Sequence, residues 1–457
     1  FINDIVKIFE GNDSSPLKLI NSKVGCLLFA DDLLILSESK EGLQNSLNNV
    51  KLYCNKWQLS LNTNKTKSMI FSQSKHKSET SHIYYENKAI ESVTEYSFLG
   101  MLIKCNGNLS QSTLELTKKA KKVFFAIKSY TKSLNNLPIK VANNLFDSLV
   151  KPIMTYNSEV TYLDTYISFH RAKSRALTSG KEINQLDFID KTPIENMHLK
   201  FCKSTLGIRK NASNLGARVE LGRLPIECFI KTQTLLYLAR LYNNNINPLL
   251  KEAFSLAQSL DLTGTYSWYT YAKNIVKETN VDLNILSTCK DIKDVNKIKN
   301  DIKLKMKNRY EDLIQNKFQN IDDKSKFFLY KKLKKDYKLE YYLNTSNFQI
   351  RRLITKFRIS DHSLLIEKGR YFKIPREERL CHKCKILEDE KHFLLYCEYN
   401  KTLRNDFFHH ICTENNNFNN LNEEEKIHYL LNPSSPLQTN KLGSFLKKSL
   451  ELRAGDS

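Results

Sequence analysis

Residues Val24 to Leu36 read VGCLLFADDLLIL, an apolar run of seven, two aspartates, then four apolar residues. This pattern predicts two short buried strands joined at a tight turn, a β-hairpin carrying carboxylates at its tip. Just downstream, Leu43, Leu47, Val50, Cys54 and Trp57 step by four, three, four and three, which is one face of an amphipathic helix placed to pack on those strands. Asn62 to Phe71 reads as a polar loop running into a strand and Ser72 to Ser81 as a polar link. His82 to Ile103 reads as a further hairpin turning near Glu86 to Lys88. The opening quarter of the chain is therefore expected to be α+β.

Beyond Ser110 strand signals almost vanish. Helices are predicted over Thr113 to Lys132, Ile139 to Lys151 with Pro152 as terminator, Lys200 to Leu206, and Cys228 to Tyr242. Arg171 to Asp190, polar and aperiodic, and Asn243 to Asn247 read as linkers or exposed loops. From Lys293 to Tyr342 lysine recurs among Ile, Leu, Phe and Tyr, predicting basic helices with an apolar inner face. The aromatic residues there (Tyr310, Phe327, Phe328, Tyr330, Tyr337) fit a core better than a base-stacking surface. Lys299, Lys303, Lys305, Lys307, Arg309 and Lys331 to Lys338 are candidates for phosphate contacts.

The chain has 457 residues, enough for roughly three domains. It carries 71 Lys and Arg against 49 Asp and Glu, a net charge of +22, which favours a polyanionic partner. No stretch approaches the roughly 18 to 20 uncharged apolar residues of a membrane span, and no basic-then-apolar leader is visible, so no membrane partner is expected and the nucleus and cytoplasm are the expected locations. The opening helix-like segment Phe1, Ile2, Ile5, Val6, Phe9 has no lead-in or N-cap, as expected of a fragment. Ten cysteines are too few for a disulfide scaffold.

Asp31 and Asp32 follow an apolar strand directly, where a bare carboxylate calls for a cationic partner. Hard divalent cations take oxygen ligands, and two of them about 4 Å apart stabilise attacking and leaving oxygens in phosphoryl transfer. An exposed turn that merely favours Asp is the other reading. Asp322 and Asp323 supply an internal contrast, since they stand in QNIDDKSK, a polar loop without flanking strands, and are assigned to solvent. Cys381, Cys384, His392 and Cys397 are spaced by two, seven and four residues in RLCHKCKILEDEKHFLLYC. Three thiolates and an imidazole make a closed tetrahedral Zn2+ site. His382 reads as a surface residue, and Glu388, Asp389 and Glu390 as a polar turn.

Phe29-Ala30-Asp31-Asp32 within LLFADDLLILSES resembles the central motif of reverse transcriptases of the non-LTR (LINE-type) retrotransposons. The order downstream agrees: a helix (Gly42-Leu43 through Trp57), a Lys-Thr loop (Asn62-Thr63-Asn64-Lys65-Thr66), and a primer-gripping hairpin resembled by Tyr96-Ser97-Phe98-Leu99-Gly100. A helical thumb follows (Pro152 to Tyr162 and Leu206 to Pro225), then the Cys-Cys-His-Cys segment with Arg358, Glu367 to Tyr371, Glu398-Tyr399 and Arg404 around it. The resemblance implies an α+β chain made of the end of a polymerase palm (1–107), a helical thumb (108–230), a basic helical connector (231–350) and a zinc-binding segment (351–457).

By the same resemblance Asp31 and Asp32 belong to a catalytic Mg2+ site, Phe29 lines the primer terminus, and Lys65 lies near the incoming dNTP and serves the pyrophosphate leaving group. The expected partners are an RNA template, a DNA primer or target, and dNTP; no oligomeric state is implied. Such polymerases use a further aspartate from a strand well upstream of the acidic turn, and Asp4 and Asp13 stand in the wrong context to supply it. The chain is thus expected to be inactive alone. The alternative is a non-catalytic nucleic-acid-binding protein, a truncated or domesticated element remnant, or a decayed copy without selected function.

Overall fold

The computed structural model describes residues 2–9, 12–72, 82–134, 137–243, 245–288, 292–322, 325–345 and 347–455. Phe1, residues 73–81 of the expected polar link, Asn244 and Asp323 lie outside the described residues. The strands are β1 (Leu17–Lys18), β2 (Lys23–Val24), β3 (Cys26–Phe29), β4 (Asp32–Ile35), β5 (Lys67–Ser68), β6 (Ile83–Tyr85), β7 (Lys88–Ser92), β8 (Glu95–Phe98) and β9 (Met101–Lys104), with α1 (Lys40–Trp57) between β4 and β5. Helices then follow without further strands: α2 (Ser110–Tyr130), α3 (Ile139–Leu145), α4 (Lys151–Met154), α5 (Ser158–Thr161), α6 (Leu163–Thr178), α7 (Gln185–Ile189), α8 (Pro193–Leu206), α9 (Asn214–Glu220), α10 (Ile226–Leu241) and α11 (Pro248–Leu262). The rest are α12 (Trp268–Thr279), α13 (Leu283–Ser287), α14 (Ile292–Gln319), α15 (Phe328–Leu333), α16 (Phe348–Arg358), α17 (Leu365–Tyr371), α18 (Glu390–Leu395), α19 (Lys401–Glu414), α20 (Glu423–Leu431) and α21 (Pro436–Gly455). The fold class is α+β. By contact the chain forms two units, residues 1–116, 157–175 and 230–305 in one and 117–156, 176–229 and 306–457 in the other.

In the first unit β3 and β4 pair antiparallel with Cys26 opposite Ile35, Leu28 opposite Leu33 and Phe29 opposite Asp32. Side chains alternate between faces, so Cys26, Leu28, Leu33 and Ile35 share one face. That face packs against Ile5, Phe9, Val50, Tyr53 and Cys54, the buried positions of the N-terminal turn and of α1. The strands are not buried on both faces as their continuous apolar run suggested. Among the described residues they pair only with each other, and the opposite face leaves Leu27 38% and Phe29 61% exposed. Gly25 sits at the base of the hairpin because a Cβ there would stand 2.7 Å from Phe9 Cβ and 2.9 Å from the Phe9 carbonyl oxygen.

Helix α1 starts where Ser39 accepts from the Gly42 N–H and stops at Gln58, which is left-handed at φ 53°. Its Leu47, with Leu43 at the margin, packs on Ile83, Tyr85 and Ile90, so α1 lies between the acidic hairpin and the sheet ordered β5-β7-β6. Each such side chain taken out of water contributes about 1.5–3 kcal/mol. Gln44 gives and takes 2.8 Å hydrogen bonds with the backbone of Tyr84, covering the outer edge of β6. Trp57, assigned by spacing to the buried face, is 52% exposed, because the helix has outrun the hairpin by its last turn. The region 82–103 contains two hairpins, not one: β6–β7 turns at Glu86 and Asn87 (φ 49° and 62°) and β8–β9 at Leu99 and Gly100 (φ 46° and 81°). Both are two-residue turns with paired positive φ, whose twist matches the strands they join.

The helical part of the chain corrects three expectations. Pro152 does not end a helix: α3 passes through a wide turn over Phe146–Val150 into α4, the Lys151 N–H reaching back to the Phe146 carbonyl. One inserted residue of π geometry lets the chain absorb the missing proline donor. Residues 171–178, expected as a loop, continue α6, and Asn184 caps α7, leaving only 179–184 and Asp190 of that stretch outside helix. Lys334, expected to face phosphates, is 8% exposed and ion-paired with Glu340. Tyr310, Phe327 and Tyr330 are buried, in keeping with the core reading.

Lys334 and Glu340 border a buried polar centre. Arg358 donates to Glu220 (2.6 Å) and to the Leu431 carbonyl (2.7 Å), while Tyr330 (2.8 Å) and Tyr342 (2.5 Å) donate to the same Glu220 carboxylate. Burial pushes the Glu220 carboxyl up, but Arg358 and Lys334 outweigh it and hold the group below the ordinary carboxylate range.

Candidate functional site

The acidic turn is built by local geometry alone. Ala30 at φ 54° reverses the chain, Asp31 occupies the turn, and Asp32 opens β4 opposite Phe29. Both aspartates are exposed, and neither carboxylate takes part in a hydrogen bond or ion pair among the described residues. The desolvation argument from sequence therefore does not apply: solvent carries these charges without a cation. What remains is two adjacent carboxylates beside an exposed aromatic ring, a donor set suited to a hard cation held jointly with a ligand.

Lys65 lies in the loop after α1. Its N–H donates to Asn62 Oδ1 (3.2 Å) and the Thr66 hydroxyl to the Asn62 carbonyl (2.9 Å), so Asn62 organises the loop as an Asx-turn. The Tyr96 hydroxyl donates to the Lys65 carbonyl (3.1 Å), tying this loop to the β8–β9 hairpin. The structure thus joins the Lys-Thr loop to the Tyr96 hairpin. No hydrogen bond or ion pair joins the Lys65 amine to Asp31 or Asp32.

The cysteine and histidine positions do come together. Leu380 bridges Leu387, the Cys381 N–H donates to the Ile386 carbonyl (2.8 Å) and the Lys385 N–H to the Cys381 carbonyl (2.8 Å), with Lys385 at φ 56°, in the left-handed region.

 That φ of 56° closes a tight knuckle that returns Cys381 and Cys384 to one side. His392 comes from α18, whose N-cap Asp389 accepts from the His392 N–H (2.8 Å), and the Cys397 N–H donates to the His392 carbonyl (2.9 Å) just past the helix end. The four ligand atoms all lie within 4.8 Å of one another.

The chemistry of this donor set fits Zn2+. Cys381 Sγ and Cys397 Sγ are 3.9 Å apart, far beyond a disulfide and close to the ~3.8 Å edge of a tetrahedron with Zn–S bonds of about 2.3 Å. Both ring nitrogens of His392 are buried with no hydrogen-bond partner among the described residues. Burial lowers the His392 pKa, leaving a neutral imidazole. Burial also pushes the Cys397 thiol up to about 12, with Cys381 and Cys384 adding to the rise. For Cys381 burial acts in the same sense, but backbone N–H groups of Cys384 and Lys383 and the Arg453 guanidinium outweigh it and the thiol is lowered. A soft cation relieves both the crowded thiolates and the orphaned imidazole.

Residues that sequence reasoning missed surround the cluster. Arg453 donates toward Cys397 Sγ (3.8 Å) and Cys381 Sγ (3.7 Å) and is ion-paired with Glu388, which is buried and not part of a solvated turn. Nothing in the local sequence ELRAGDS marks it. Arg404, noted only through the resemblance, donates to the Cys397 carbonyl (2.7 Å). In the same unit Lys200 lies 4.3 Å over the Phe125 ring, with Lys121, Lys128 and Lys210 lowering its pKa after burial. The run KKAKK in α2 was the available signal for that basic patch.

No helix among the described residues is long and apolar enough to cross a membrane. Residues 2–103 match the family model described as reverse transcriptase (RNA-dependent DNA polymerase). The chain is also similar to an uncharacterised transposon-derived protein of Caenorhabditis elegans, 30% identical over 137 residues, which is 29% of this chain and 47% of that protein. The chain thus spans about half the length of the curated relative it matches. The acidic hairpin, α1, the Lys65 loop and Tyr96 to Gly100 all fall inside the segment that is similar to reverse transcriptases.

Proposed function

We propose that the chain serves an RNA-directed DNA polymerase of a non-LTR retrotransposon, with residues 1–107 as the end of the palm, 108–230 as thumb, 231–350 as basic connector and 351–457 as a zinc-binding segment. The observation that carries this reading is the hairpin with Asp31 and Asp32 exposed at its tip, inside the segment that matches reverse transcriptases. Bound Mg2+ would supply charge stabilisation for nucleotidyl transfer to a 3′ hydroxyl. Asp31 and Asp32 offer the oxygens that hold it, exposed Phe29 offers a surface for the primer terminus, and Lys65 offers an amine to the triphosphate of dNTP. Cys381, Cys384, His392 and Cys397 hold Zn2+ in a closed structural site.

Among the described residues no further Cys, His, Asp or Glu groups with Asp31 and Asp32 into a metal-holding cluster. This favours a second reading for the chain by itself, a nucleic-acid-binding protein without polymerase turnover. A primer-extension assay on an RNA template with a recessed DNA primer, run beside a binding titration, tests both. We expect salt-sensitive binding, with dNTP retained at the primer end in a Mg2+-dependent way that Asp31→Asn abolishes, and no extension. Extension by the chain alone would overturn the second reading; binding that neither salt nor Mg2+ alters would overturn the first.

A further inference from the structure

The metal-binding side chains of residues 381–397 do not stand alone: a guanidinium 56 residues beyond Cys397 reaches them. Arg453 lies near the end of α21, and its side chain is 13% exposed. One terminal nitrogen points at Cys397 Sγ (3.8 Å) and the other at Cys381 Sγ (3.7 Å) and at the Glu388 carboxylate. Glu388 is itself fixed, accepting from the Leu365 N–H (2.6 Å). The guanidinium also stands near the rings of Phe393 (5.4 Å) and Tyr399 (5.5 Å). The planar fork of arginine serves two sulfurs and a carboxylate at once, which a lysine amine cannot reproduce.

We propose that Arg453 is a positioning residue for the zinc site, holding the Cys381 and Cys397 thiolates and tying occupancy of the site to helix α21; this rests on the zinc reading above. A Zn2+ ion with three thiolates and one neutral imidazole carries a net charge of minus one. Arg453 sets a positive charge against the two buried sulfurs that carry most of it, in surroundings where water screens poorly. Partners that hydrogen-bond to metal ligands strengthen metal binding, and their loss weakens it by roughly 10- to 100-fold. Because α21 packs along α16 and α19, a fixed Arg453 also fixes the end of the chain on the second unit.

The test uses the full chain, purified with zinc, and reads metal stoichiometry, the rate of zinc release to a chromogenic chelator, and the sulfur-to-metal charge-transfer absorption of the Co2+-substituted protein. Arg453→Met is expected to release zinc about 10- to 100-fold faster and to shift the cobalt band. Arg453→Lys should fall between it and the parent, and Glu388→Gln should move both readouts in the same direction by less. The cobalt band reports electron density at sulfur, so a residue that only packs would leave it unmoved. In the parent protein, hydrogen exchange over residues 436–455 should rise when the metal is stripped. A parent chain that binds neither zinc nor cobalt overturns the zinc reading itself. A parent with one equivalent, whose Arg453→Lys and Arg453→Met variants match it in release rate and cobalt spectrum, overturns the role of Arg453 alone.

Discussion

Asp31 and Asp32 stand in solvent at the end of a two-stranded hairpin, with nothing in the described structure bonded to either carboxylate, whereas Cys381, Cys384, His392 and Cys397 face one another in a buried space fastened from outside by Asp389, Arg404 and Arg453. Both are clusters of groups that bind cations. One is left open by local turn geometry, and the other is closed by contacts from the helices α18, α19 and α21. An open site can share its cation with a substrate and release it, as transfer chemistry requires. A closed site gains its stability from the cation and offers no free position. On the proposed function the first region serves ligand binding and the second folding, and the contrast can be attacked from either side.

The largest effect is expected from metal removal at the closed site. Apparent binding energies of structural zinc run to roughly 10–16 kcal/mol, so chelation should unfold residues 381–397 and the contacts of α18 and α21. Circular dichroism and proteolysis of the full chain, with and without chelator, measure it. A fold unchanged after complete metal loss would remove the distinction between the two sites.

Next in size is the buried pair of Glu220 and Arg358, both fully buried. Glu220→Ala takes from the buried guanidinium its 2.6 Å carboxylate partner, leaving only Glu340 at 3.1 Å, and removes the carboxylate to which the Tyr330 and Tyr342 hydroxyls donate; it should cost about 3–5 kcal/mol in denaturant unfolding. The acid side gives a second check. Because the folded Glu220 pKa is lowered, its contribution is complete above the ordinary glutamate value near 4.3 and is lost as pH falls toward the lower folded value. The parent should therefore lose stability in that acidic window more steeply than Glu220→Gln.

How much of this was open to reading from the sequence depends on the range of the contacts. The hairpin was legible because two apolar runs flank Asp31 and Asp32, and α1 because Leu47, Val50 and Cys54 repeat at the helical period, with their partners within a few dozen residues. That Cys381, Cys384, His392 and Cys397 come together was legible because such short spacings survive in the sequence. Arg453, Glu388 and the Glu220–Arg358 pair were not, since charged residues placed 65 to 138 positions apart carry no periodic signal. Pro152 misled for a different reason: a helix terminator by local rule, it was absorbed by one wide turn whose cost is met by the packing of Phe146 and Val150, both buried.

A smaller effect probes how the open site is seated. Gly25→Ala drives a Cβ against Phe9 at the foot of the hairpin, and overpacking of this kind costs about 1–3 kcal/mol. The expected loss should appear in thermal unfolding of the first unit and leave zinc content unchanged. A parallel drop in zinc retention would show that the two regions are not energetically separate.

The smallest change in stability is expected where the functional loss is greatest. Asp31→Asn and Asp32→Asn alter exposed side chains that bond to nothing in the described structure, so each should shift unfolding by no more than about 0.5 kcal/mol, the usual range for surface substitutions. Removing one of two neighbouring negative charges also relieves their repulsion, since among the described residues no cation is ion-paired with either. Mg2+-dependent dNTP retention should nevertheless disappear in both variants, since an amide supplies one neutral oxygen where a hard cation requires charge. That dissociation of stability from binding is the signature of a site built for a ligand. If Asp31→Asn instead lowered stability by more than 1 kcal/mol, the carboxylate would be serving the turn itself, and the open region would have to be explained as the closed one is, by what it holds together.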